Sequence, residues 1–319
     1  MLVSTIMCAY NYGNYIDEAL DSVFSQGVTD HEVIVIDNAS TDDTPTRLAR
    51  YRDPRLRIIR LTENVGPDEG KNVGLEAAQG DVLTFLDADD RWRPGKLQRE
   101  LSIMESEPDV GLVFGYLSLF NEAGYLDSTG TESIAQELRK APSVPTKCGI
   151  GRRLTGDCFE TLISLTLTPC WLQSMMVRRS LVNDIRFPSK WSLVSDRYFN
   201  LYTWLRLNAA YIDEPTADLR RHGENHTWGT LRFHTDYPEM LTEFDSEAQL
   251  TDRQRVALHR HLGRWLLSLS RTYLTDKRLI PSLKFLVNAV RYPTSRLKAL
   301  QYLVAFPLLC AKLWGKPDV

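Results

Sequence analysis

The sequence predicts an α/β fold, in which a mostly parallel sheet is joined by crossover helices and followed by a mainly helical C-terminal part. First, apolar runs of strand length alternate with segments of helical periodicity in the first half of the chain. Second, helical periodicity dominates toward the C-terminus, with interruptions at Pro281, Pro293 and Pro307. Third, 319 residues with 43% hydrophobic content are enough to bury a sizeable core.

Five apolar runs predict five strands, and their sequences are VSTIM, EVIVID, LRIIRL, VLTFLD and VGLVFGY. A first crossover helix is predicted by apolar residues on one helical face, namely Ile16, Leu20, Val23 and Phe24. Thr44 followed by Pro45 predicts the N-cap and first turn of a second helix. Residues 117–160 are rich in turn-forming residues and are predicted to be loops over the sheet.

The later part of the chain is predicted to be helical, beginning with a long pattern over residues 198–208. We therefore expect one α/β domain over residues 1–230 and a helical extension over residues 231–319. The longest uncharged apolar run, residues 299–311, is far shorter than the roughly 18 to 20 residues of a membrane span.

Composition excludes several function classes. A net charge of −3 does not favour nucleic-acid binding. The five cysteines form no CxxC pair, which argues against a zinc site and favours a reducing compartment. The first residues lack the pattern of a secretory signal, so we expect a cytoplasmic protein. The first strand is not followed by GxGxxG, which argues against a dinucleotide-binding start.

Polar side chains gather where three of the predicted strands end. In open α/β sheets, ligands bind outside the carboxyl ends of the strands. Carboxylates alternating with a small residue suit Mg²⁺ or Mn²⁺, which pairs one or two protein carboxylates with substrate phosphates. The pattern indicates a nucleoside diphosphate, although Asp and Asn are also common turn residues. The residues concerned are Ala9, Tyr10, Asn11, Asp37, Asn38, Ser40, Asp87, Asp89 and Asp90.

Four motifs in order resemble an inverting glycosyltransferase of family 2, which has the GT-A fold, a Rossmann-like nucleotide-diphospho-sugar transferase fold. They are LVSTIMCAYNYGNYIDEALDSVFSQ, EVIVIDNASTDDT, NVGPDEGKNVGLEAAQGDVLTFLDADD and LRRHGENHT. The resemblance covers position 2 to roughly position 228. It implies a metal-binding Asp-x-Asp motif and transfer of a sugar from a nucleoside diphosphate to an acceptor hydroxyl.

The resemblance also implies roles on the donor side. The nucleotide would contact Ala9, Tyr10, Asn11, Asp37, Asn38, Lys71, Asp87 and Ala88. The metal, Mn²⁺ or Mg²⁺, would be held by Asp89, Asp90 and His222. The family often has a second Asp where this chain has Asn38, whose amide oxygen can accept the N3–H of uracil or thymine. A UDP or dTDP sugar is therefore favoured.

For the acceptor side, the family places a base in a Glu-Asp pair near the start of a helix. This chain has Ser195 and Asp196 there, so Asp196 is the candidate base, with a helix N-cap as its alternative. Further acceptor or phosphate candidates are Trp171, Arg220, Arg221 and Asn225. Trp171 could instead belong to the core, and both Lys71 and His222 could be ordinary surface residues.

The C-terminal segment over residues 293–316 is basic, amphipathic and contains aromatic residues. Such a segment can lie on an anionic membrane. Alternatively, it can pack on its own catalytic domain or form a dimer contact. Because many relatives use lipid-linked acceptors, the resemblance implies a saccharide or lipid-linked saccharide acceptor at the inner face of the cell membrane, in polysaccharide or glycolipid biosynthesis.

Two other functions remain open at this point. A sugar-phosphate nucleotidyltransferase shares the architecture, but it should carry a Gly-rich basic loop where this chain has AYNYGNY. A non-catalytic relative serving as a binding or scaffold subunit is consistent with the absence of Glu before Asp196, although the intact carboxylate triplet argues against it.

Overall fold

The computed structural model describes residues 1–126, 129–165, 170–223 and 231–314. Contacts between residues divide the chain into two compact units, Met1–His226 and Thr227–Val319. Each unit is described by itself below.

The first unit is built around a mixed sheet. Among the described residues its main strand order is β3-β2-β1-β4-β10-β6-β11-β9-β8, with β5 paired to β11 and β7 paired to β6. The strands are β1 Val3–Ala9, β2 His31–Asp37, β3 Leu56–Arg60, β4 Val82–Phe85, β5 Arg91–Trp92, β6 Val110–Asn121, β7 Gly124–Tyr125, β8 Ser143–Pro145, β9 Arg152–Leu154, β10 Met175–Arg178 and β11 Asn208–Arg220. The helices are α1 Ile16–Phe24, α2 Thr44–Leu48, α3 Pro67–Ala77, α4 Lys96–Ser106, α5 Thr129–Arg139, α6 Cys158–Ser164 and α7 Ser195–Arg206.

All five predicted strands are present, and the first four form a parallel block with crossover helices. Ala9 at the end of β1 lies beside Asp37 at the end of β2, which in turn lies beside Arg60 at the end of β3. The carboxyl ends of these strands therefore meet at one edge, as the sequence predicted. The fifth run, β6, does not continue the parallel block, because β10 lies antiparallel between β4 and β6.

Several local predictions were wrong. Residues 117–160 are not simply loops: β6 extends to Asn121, α5 and the short strands β7, β8 and β9 lie in this region, and α6 begins at Cys158. Helix α5 is mostly polar, but Ala135 and Leu138 are buried, so tertiary packing stabilises a segment that looks like a loop in sequence. The helix predicted over residues 198–208 runs from Ser195 to Arg206, and the N-cap of α2 is Asp43 rather than Thr44.

The sequence also failed to indicate β11, which follows α7 directly. Its middle carries Asp213, Glu214 and Pro215, which are typical of loops. The pairing of β11 with β6 shifts register around Pro215, and this irregularity accommodates the proline within a long strand. Strand β11 ends at Arg220 and so carries the RRH segment to the edge where β1 and β2 end.

Two glycines allow α3 to pack tightly on β1. A Cβ added to Gly70 would lie 2.4 Å from the Cys8 Sγ, and one added to Gly74 would lie 2.4 Å from the Ile6 Cγ2. Only a residue without a side chain permits this approach. The spacing of these glycines therefore fixes the position of α3, which carries Asp68 and Lys71.

The second unit is helical, with α8 Leu231–Glu247, α9 Asp252–Thr275, α10 Leu279–Ala289 and α11 Pro293–Trp314. Helix α9 contacts α8, α10 and α11, and it begins with a capping box formed by Thr251 and Gln254. The predicted breaks at Pro281 and Pro307 were wrong. Pro281 lies in the first turn of α10, where a proline is tolerated, and α11 continues past position 307. Among the described residues, no helix combines the length and apolar character needed to cross a bilayer.

Candidate active site

The loops after β1 and β2 are tied together by backbone and side-chain hydrogen bonds. The Asn38 N–H donates to the Ala9 carbonyl at 2.8 Å. The Asn11 amide oxygen accepts the Thr41 N–H at 2.8 Å, and Asn11 has a φ of 60°, a left-handed conformation that asparagine tolerates. Tyr10 between them is 40% exposed. Asn11 therefore helps to hold the two loops together, and Tyr10 between Ala9 and Asn11 is left partly exposed.

Asp37 and Asn38 are both only 1% exposed. The Asp37 carboxylate accepts the Ser40 N–H at 2.9 Å and lies 3.5 Å from the Arg60 guanidinium. The Asn38 amide oxygen accepts the Val65 N–H, and its NH₂ group donates to the Asn64 side chain and the Gly66 carbonyl, each bond at 3.0 Å. Asn38 therefore holds the loop that precedes α3, a use that its motif alone did not indicate.

The acidic turn after β4 brings buried carboxylates together. Asp89 is 7% exposed, Asp90 is 2% exposed, and the Asp90 N–H donates to the Asp87 carbonyl at 3.0 Å to close the turn. Burial, reinforced by the charges of Asp89 and Asp87, raises the pKa of Asp90 well above its usual range. Burial and the Asp87 charge likewise raise the pKa of Asp89. Ala88 between them is fully buried.

Tyr12 adjoins this carboxylate cluster and was not predicted to belong to the site. Burial and the negative charges of Asp89, Asp87 and Asp90 raise the pKa of its hydroxyl. The sequence AYNYGNY does not indicate which of its tyrosines lies near the acidic turn, because that proximity follows only from the pairing of β1 with β4.

The end of β11 closes over the acidic turn. His222 Nε2 lies 2.9 Å from Asp89 Oδ2, and the His222 ring is tilted by 31° against the Tyr15 ring, with ring centroids 4.8 Å apart. The Arg220 N–H donates to Asp90 Oδ1 and its Nε donates to the Asp89 carbonyl, both at 2.8 Å. The Arg220 guanidinium also pairs with Glu18. Arg220, a phosphate candidate in the sequence, thus joins β11 to the acidic turn.

The RRHGEN segment holds two other candidates, Arg221 and Asn225, of which the structure describes only Arg221. The Arg221 N–H donates to the Phe120 carbonyl at 2.8 Å, and burial lowers the pKa of its guanidinium. Asn225 lies outside the described residues.

Asp87 lies between a lysine and a glutamine. Lys71 Nζ is 4.0 Å from Asp87 Oδ1, and the Gln173 amide donates to the other carboxylate oxygen. Burial acts to lower the pKa of Lys71, but the Asp87 and Asp68 carboxylates outweigh it and hold that pKa above its ordinary value. Lys71 is therefore a retained positive charge at this edge. Gln173 was missed because nothing in its local sequence separates it from core polar residues.

The candidate base lies in the first turn of α7. Asp196 is the second residue of that helix and accepts the N–H of the neighbouring Arg197 at 2.8 Å, while Val194 is the N-cap. The preceding residue, Ser195, donates its hydroxyl proton to the Asp68 carboxylate. Asp68 is 2% exposed and burial raises its pKa. Asp68 was not predicted, and it ties the first turn of α7 to the first turn of α3.

Trp171 is half-buried and packs against the hydrophobic core, and it also contacts the start of α7. The Arg197 guanidinium lies over its ring at 4.8 Å from the centroid. Trp171 and Asp196 are therefore brought to one region through Arg197. This position is compatible with stacking on a sugar.

The acidic turn fits a hard divalent cation. Its oxygen donors, Asp89 and Asp90, are buried acids held close together, an arrangement that a cation stabilises. Among the described residues, no three Asp, Glu, His or Cys side chains form a ready-made metal cage. In Mg²⁺ sites generally, one or two protein carboxylates are completed by substrate phosphates and water.

Comparison with known proteins gives the family. The model of glycosyl transferase family 2 matches residues 4–149. An uncharacterized glycosyltransferase of Nostoc is 37% identical over 232 residues, covering 70% of this chain and 66% of that protein. The teichuronic acid biosynthesis glycosyltransferase TuaG of Bacillus subtilis is 36% identical over 128 residues, covering 40% of this chain and 51% of TuaG. The matches thus span between half and two thirds of these relatives.

One further relative is named by its substrates. WfgD of Escherichia coli, a UDP-Glc:α-D-GlcNAc-diphosphoundecaprenol β-1,3-glucosyltransferase, is 27% identical over 52% of this chain and 61% of its own.

Solved structures show the same fold. TarS of S. aureus in complex with UDP-GlcNAc has a TM-score of 0.67 at 21% identity, over 98% of this chain and 87% of the TarS chain. The mannosyltransferase PcManGT of Pyrobaculum calidifontis, in complex with GDP-Man and Mn²⁺, has a TM-score of 0.54 at 18% identity, over 99% of this chain and 88% of that one. The motifs, the fold and these relatives agree: the chain belongs to glycosyl transferase family 2, with a GT-A fold.

Proposed function

We propose that this chain is a metal-dependent, inverting glycosyltransferase that moves a sugar from a nucleoside-diphosphate sugar to an acceptor hydroxyl. The observation that carries the proposal is the pair of buried acids, Asp89 and Asp90, at the strand edge, with His222 at Asp89 and Lys71 at the neighbouring Asp87. A non-catalytic relative would have no need to keep buried carboxylates that repel one another. Family membership also removes the nucleotidyltransferase alternative.

On the donor side, Asp89 and Asp90 would hold Mn²⁺ or Mg²⁺, with His222 at the Asp89 carboxylate. When bound, such a cation neutralises negative charge on the departing diphosphate. Lys71 supplies a second positive charge near Asp87, and Tyr10 offers an exposed ring to the nucleotide. Asp37 and Asn38 then act mainly by fixing the loops that frame the nucleotide.

On the acceptor side, Asp196 would take the proton of the acceptor hydroxyl. The acceptor oxygen forms the new bond to the anomeric carbon as the bond to the diphosphate oxygen breaks, and its electron pair leaves with the diphosphate. Inversion requires the base to face the side opposite the leaving group, so a small displacement of Asp196 should matter. The bond between Asp68 and Ser195 holds the start of α7 and thereby sets the position of Asp196.

The donor we favour is a UDP or dTDP sugar, and the acceptor a saccharide or lipid-linked saccharide, in polysaccharide or glycolipid biosynthesis. TarS binds UDP-GlcNAc, and WfgD is named for UDP-Glc and a diphosphoundecaprenol-linked acceptor. GDP-Man in PcManGT is the counterexample within the same fold. An enzyme using lipid-linked acceptors would work in the cytoplasm, at the inner face of the cell membrane.

Calorimetry with UDP, dTDP and GDP, each with and without Mn²⁺, tests the donor half of the proposal. We expect UDP or dTDP to bind only with Mn²⁺. The Asp89→Asn variant should lose this Mn²⁺-dependent binding. Asp30→Asn is the matched control, because Asp30 is exposed and precedes β2, at the opposite edge of the sheet. If no nucleotide binds under any condition, the proposal is wrong.

Asp196→Asn tests the acceptor half. With UDP and dTDP sugars and α-D-GlcNAc-diphosphoundecaprenol as acceptor, release of nucleoside diphosphate should be abolished while Mn²⁺-dependent donor binding remains. Transfer that survives in Asp196→Asn would remove this residue from the role of base without affecting the donor site.

A further inference from the structure

Helix α10 exposes aliphatic side chains on the face opposite to its packed side. Ile280, Leu283 and Val287 are 83%, 41% and 50% exposed. Their spacing of three and four residues places them on one helical face. The packed side is a different set, with Ser282, Phe285, Leu286 and Ala289 buried. These residues therefore leave a large part of their side-chain surface outside the core of the helical unit.

Helix α11 repeats this arrangement. Leu297, Leu300 and Val304 are 77%, 43% and 83% exposed and again lie three and four residues apart. Ser295 and Ala299 are buried on the other side. Since α10 and α11 contact each other and α9 within the unit, the helices are held by their packed sides. We call the two exposed rows the aliphatic face.

The charged residues that follow Asp276 in this part of the sequence are all basic up to Asp318. Exposed Lys and Arg residues of this segment are Lys277, Arg278, Lys284, Arg291, Arg296 and Lys298. The sequence contains no Asp or Glu between Asp276 and Asp318. Helix α9 is also basic, with Asp252 as its one acidic residue, but Val256 is its one exposed large aliphatic residue among those described. Helices α10 and α11 therefore differ from α9 in the rows of exposed aliphatic residues, which accompany cationic groups.

We propose that the aliphatic face of α10 and α11 lies in the interface of an anionic lipid bilayer, with its lysines and arginines at the headgroups. Exposed aliphatic groups gain by leaving water, and each cation near an anionic surface is attracted to it. A second copy of the chain is a poorer partner, because two such faces would bring like charges together. The inference rests on the second unit alone and would place the proposed enzyme beside a lipid-linked acceptor.

Sedimentation of the full chain with vesicles tests this surface. The probes are vesicles of equal parts phosphatidylglycerol and phosphatidylcholine, compared with phosphatidylcholine alone. We expect binding to the anionic vesicles at low salt, at least tenfold weaker binding to neutral vesicles, and release at high salt. Equal binding to both kinds of vesicle, or to neither, overturns the proposal.

Two variants separate the aliphatic and electrostatic contributions. The combined change Ile280→Gln, Val287→Gln, Leu297→Gln and Val304→Gln alters exposed residues only and should weaken binding at least tenfold. The combined change Lys284→Gln, Arg291→Gln and Lys298→Gln should weaken it about 100-fold, because each surface cation adds about fivefold. Val256→Gln, an exposed aliphatic change on α9, should leave binding unchanged.

Sedimentation velocity and nucleotide calorimetry distinguish the other outcomes. A dimer that the aliphatic variant dissociates would mean that a second copy covers this face, and the membrane proposal would be wrong. Lipid binding unaffected by the aliphatic variant would mean that the face is covered by other parts of the chain. Lipid binding without any nucleotide binding would leave this surface in place and contradict only the proposed function.

Discussion

Two sets of buried charges follow β4, and they are arranged in opposite ways. In α4, Lys96 and Glu100 are completely buried, and their charged atoms lie 2.7 Å apart. Lys96 Nζ also lies 3.3 Å from the Thr84 hydroxyl and 4.5 Å from the centroid of the Trp92 ring. In the acidic turn, Asp89 and Asp90 are buried beside another acid, Asp87.

The difference separates a structural pair from a binding site. Burial lowers the pKa of Lys96 and raises that of Glu100 to about 7, but each charge has the other as its counterion. In the turn, burial and the charge of Asp87 raise the pKa of Asp89, and burial with the charges of Asp89 and Asp87 raises that of Asp90, so a cation bound there would relieve the repulsion. Such an arrangement decreases stability and is therefore expected where function requires it.

The largest effect should come from breaking the structural pair. Lys96→Met leaves Glu100 buried without its counterion and should lower the free energy of unfolding by about 3 to 5 kcal/mol. Urea denaturation measures this. In the double variant Lys96→Met with Glu100→Leu, both charges are gone and stability should return to within about 1 kcal/mol of the natural protein. A single variant as stable as the natural protein would show that the pair is not ionised.

The next effect should come from the acidic turn, and it should appear in activity rather than in stability. Asp89→Asn removes a proposed metal ligand and should lower the rate of sugar transfer about 100-fold or more, because metal stabilisation of the leaving group is worth several kcal/mol. Initial rates at saturating Mn²⁺ measure it, and Asp30→Asn serves again as the control. An unchanged rate would place the metal elsewhere.

A smaller effect is expected where a buried acid acts through a neighbour. Ser195→Ala removes the hydroxyl that bonds to Asp68, so Asp196 should be less well positioned and kcat should fall about tenfold. Ser195→Thr keeps the hydroxyl and should restore most of kcat. Affinity for the donor nucleotide, measured by calorimetry, should not change in either variant. If both variants behave alike, the bond to Asp68 does not matter for catalysis.

The smallest effect concerns the cost of the acidic turn in the metal-free protein. The raised pKa of Asp90 means that its protonated form stabilises the fold below about pH 4, and that this contribution is lost as pH rises through the raised value. Asp90→Asn keeps an acceptor for the Arg220 N–H and should be more stable than the natural protein at neutral pH, by about 1 kcal/mol.

Urea denaturation in EDTA at several pH values tests whether Asp90→Asn is more stable than the natural protein. The difference between the Asp90→Asn variant and the natural protein should shrink as pH falls toward 4 and should also shrink when Mn²⁺ is added at neutral pH. A natural protein that gains stability over the variant as pH rises would contradict the comparison between the two sets of charges.

The sequence by itself determined the parallel block and the edge where Ala9, Asp37 and the DADD turn meet. Local signals suffice there, because apolar runs define the strands and parallel strands end on one side of a sheet. The amphipathic pattern expected over residues 293–316 is weak in α11 as a whole, and the exposed row of that helix became visible only once Ser295 and Ala299 were seen to be buried.

Only the tertiary structure decided which distant residues complete the site. Gln173 reaches Asp87 from 86 positions away, and Ser195 reaches Asp68 across 127 positions. Strand β11, which carries Arg220 and His222 to the acidic turn, is stabilised by pairing with β6 rather than by its own loop-like composition. These contacts depend on how the sheet is assembled, and no local pattern encodes the separation of two residues in space.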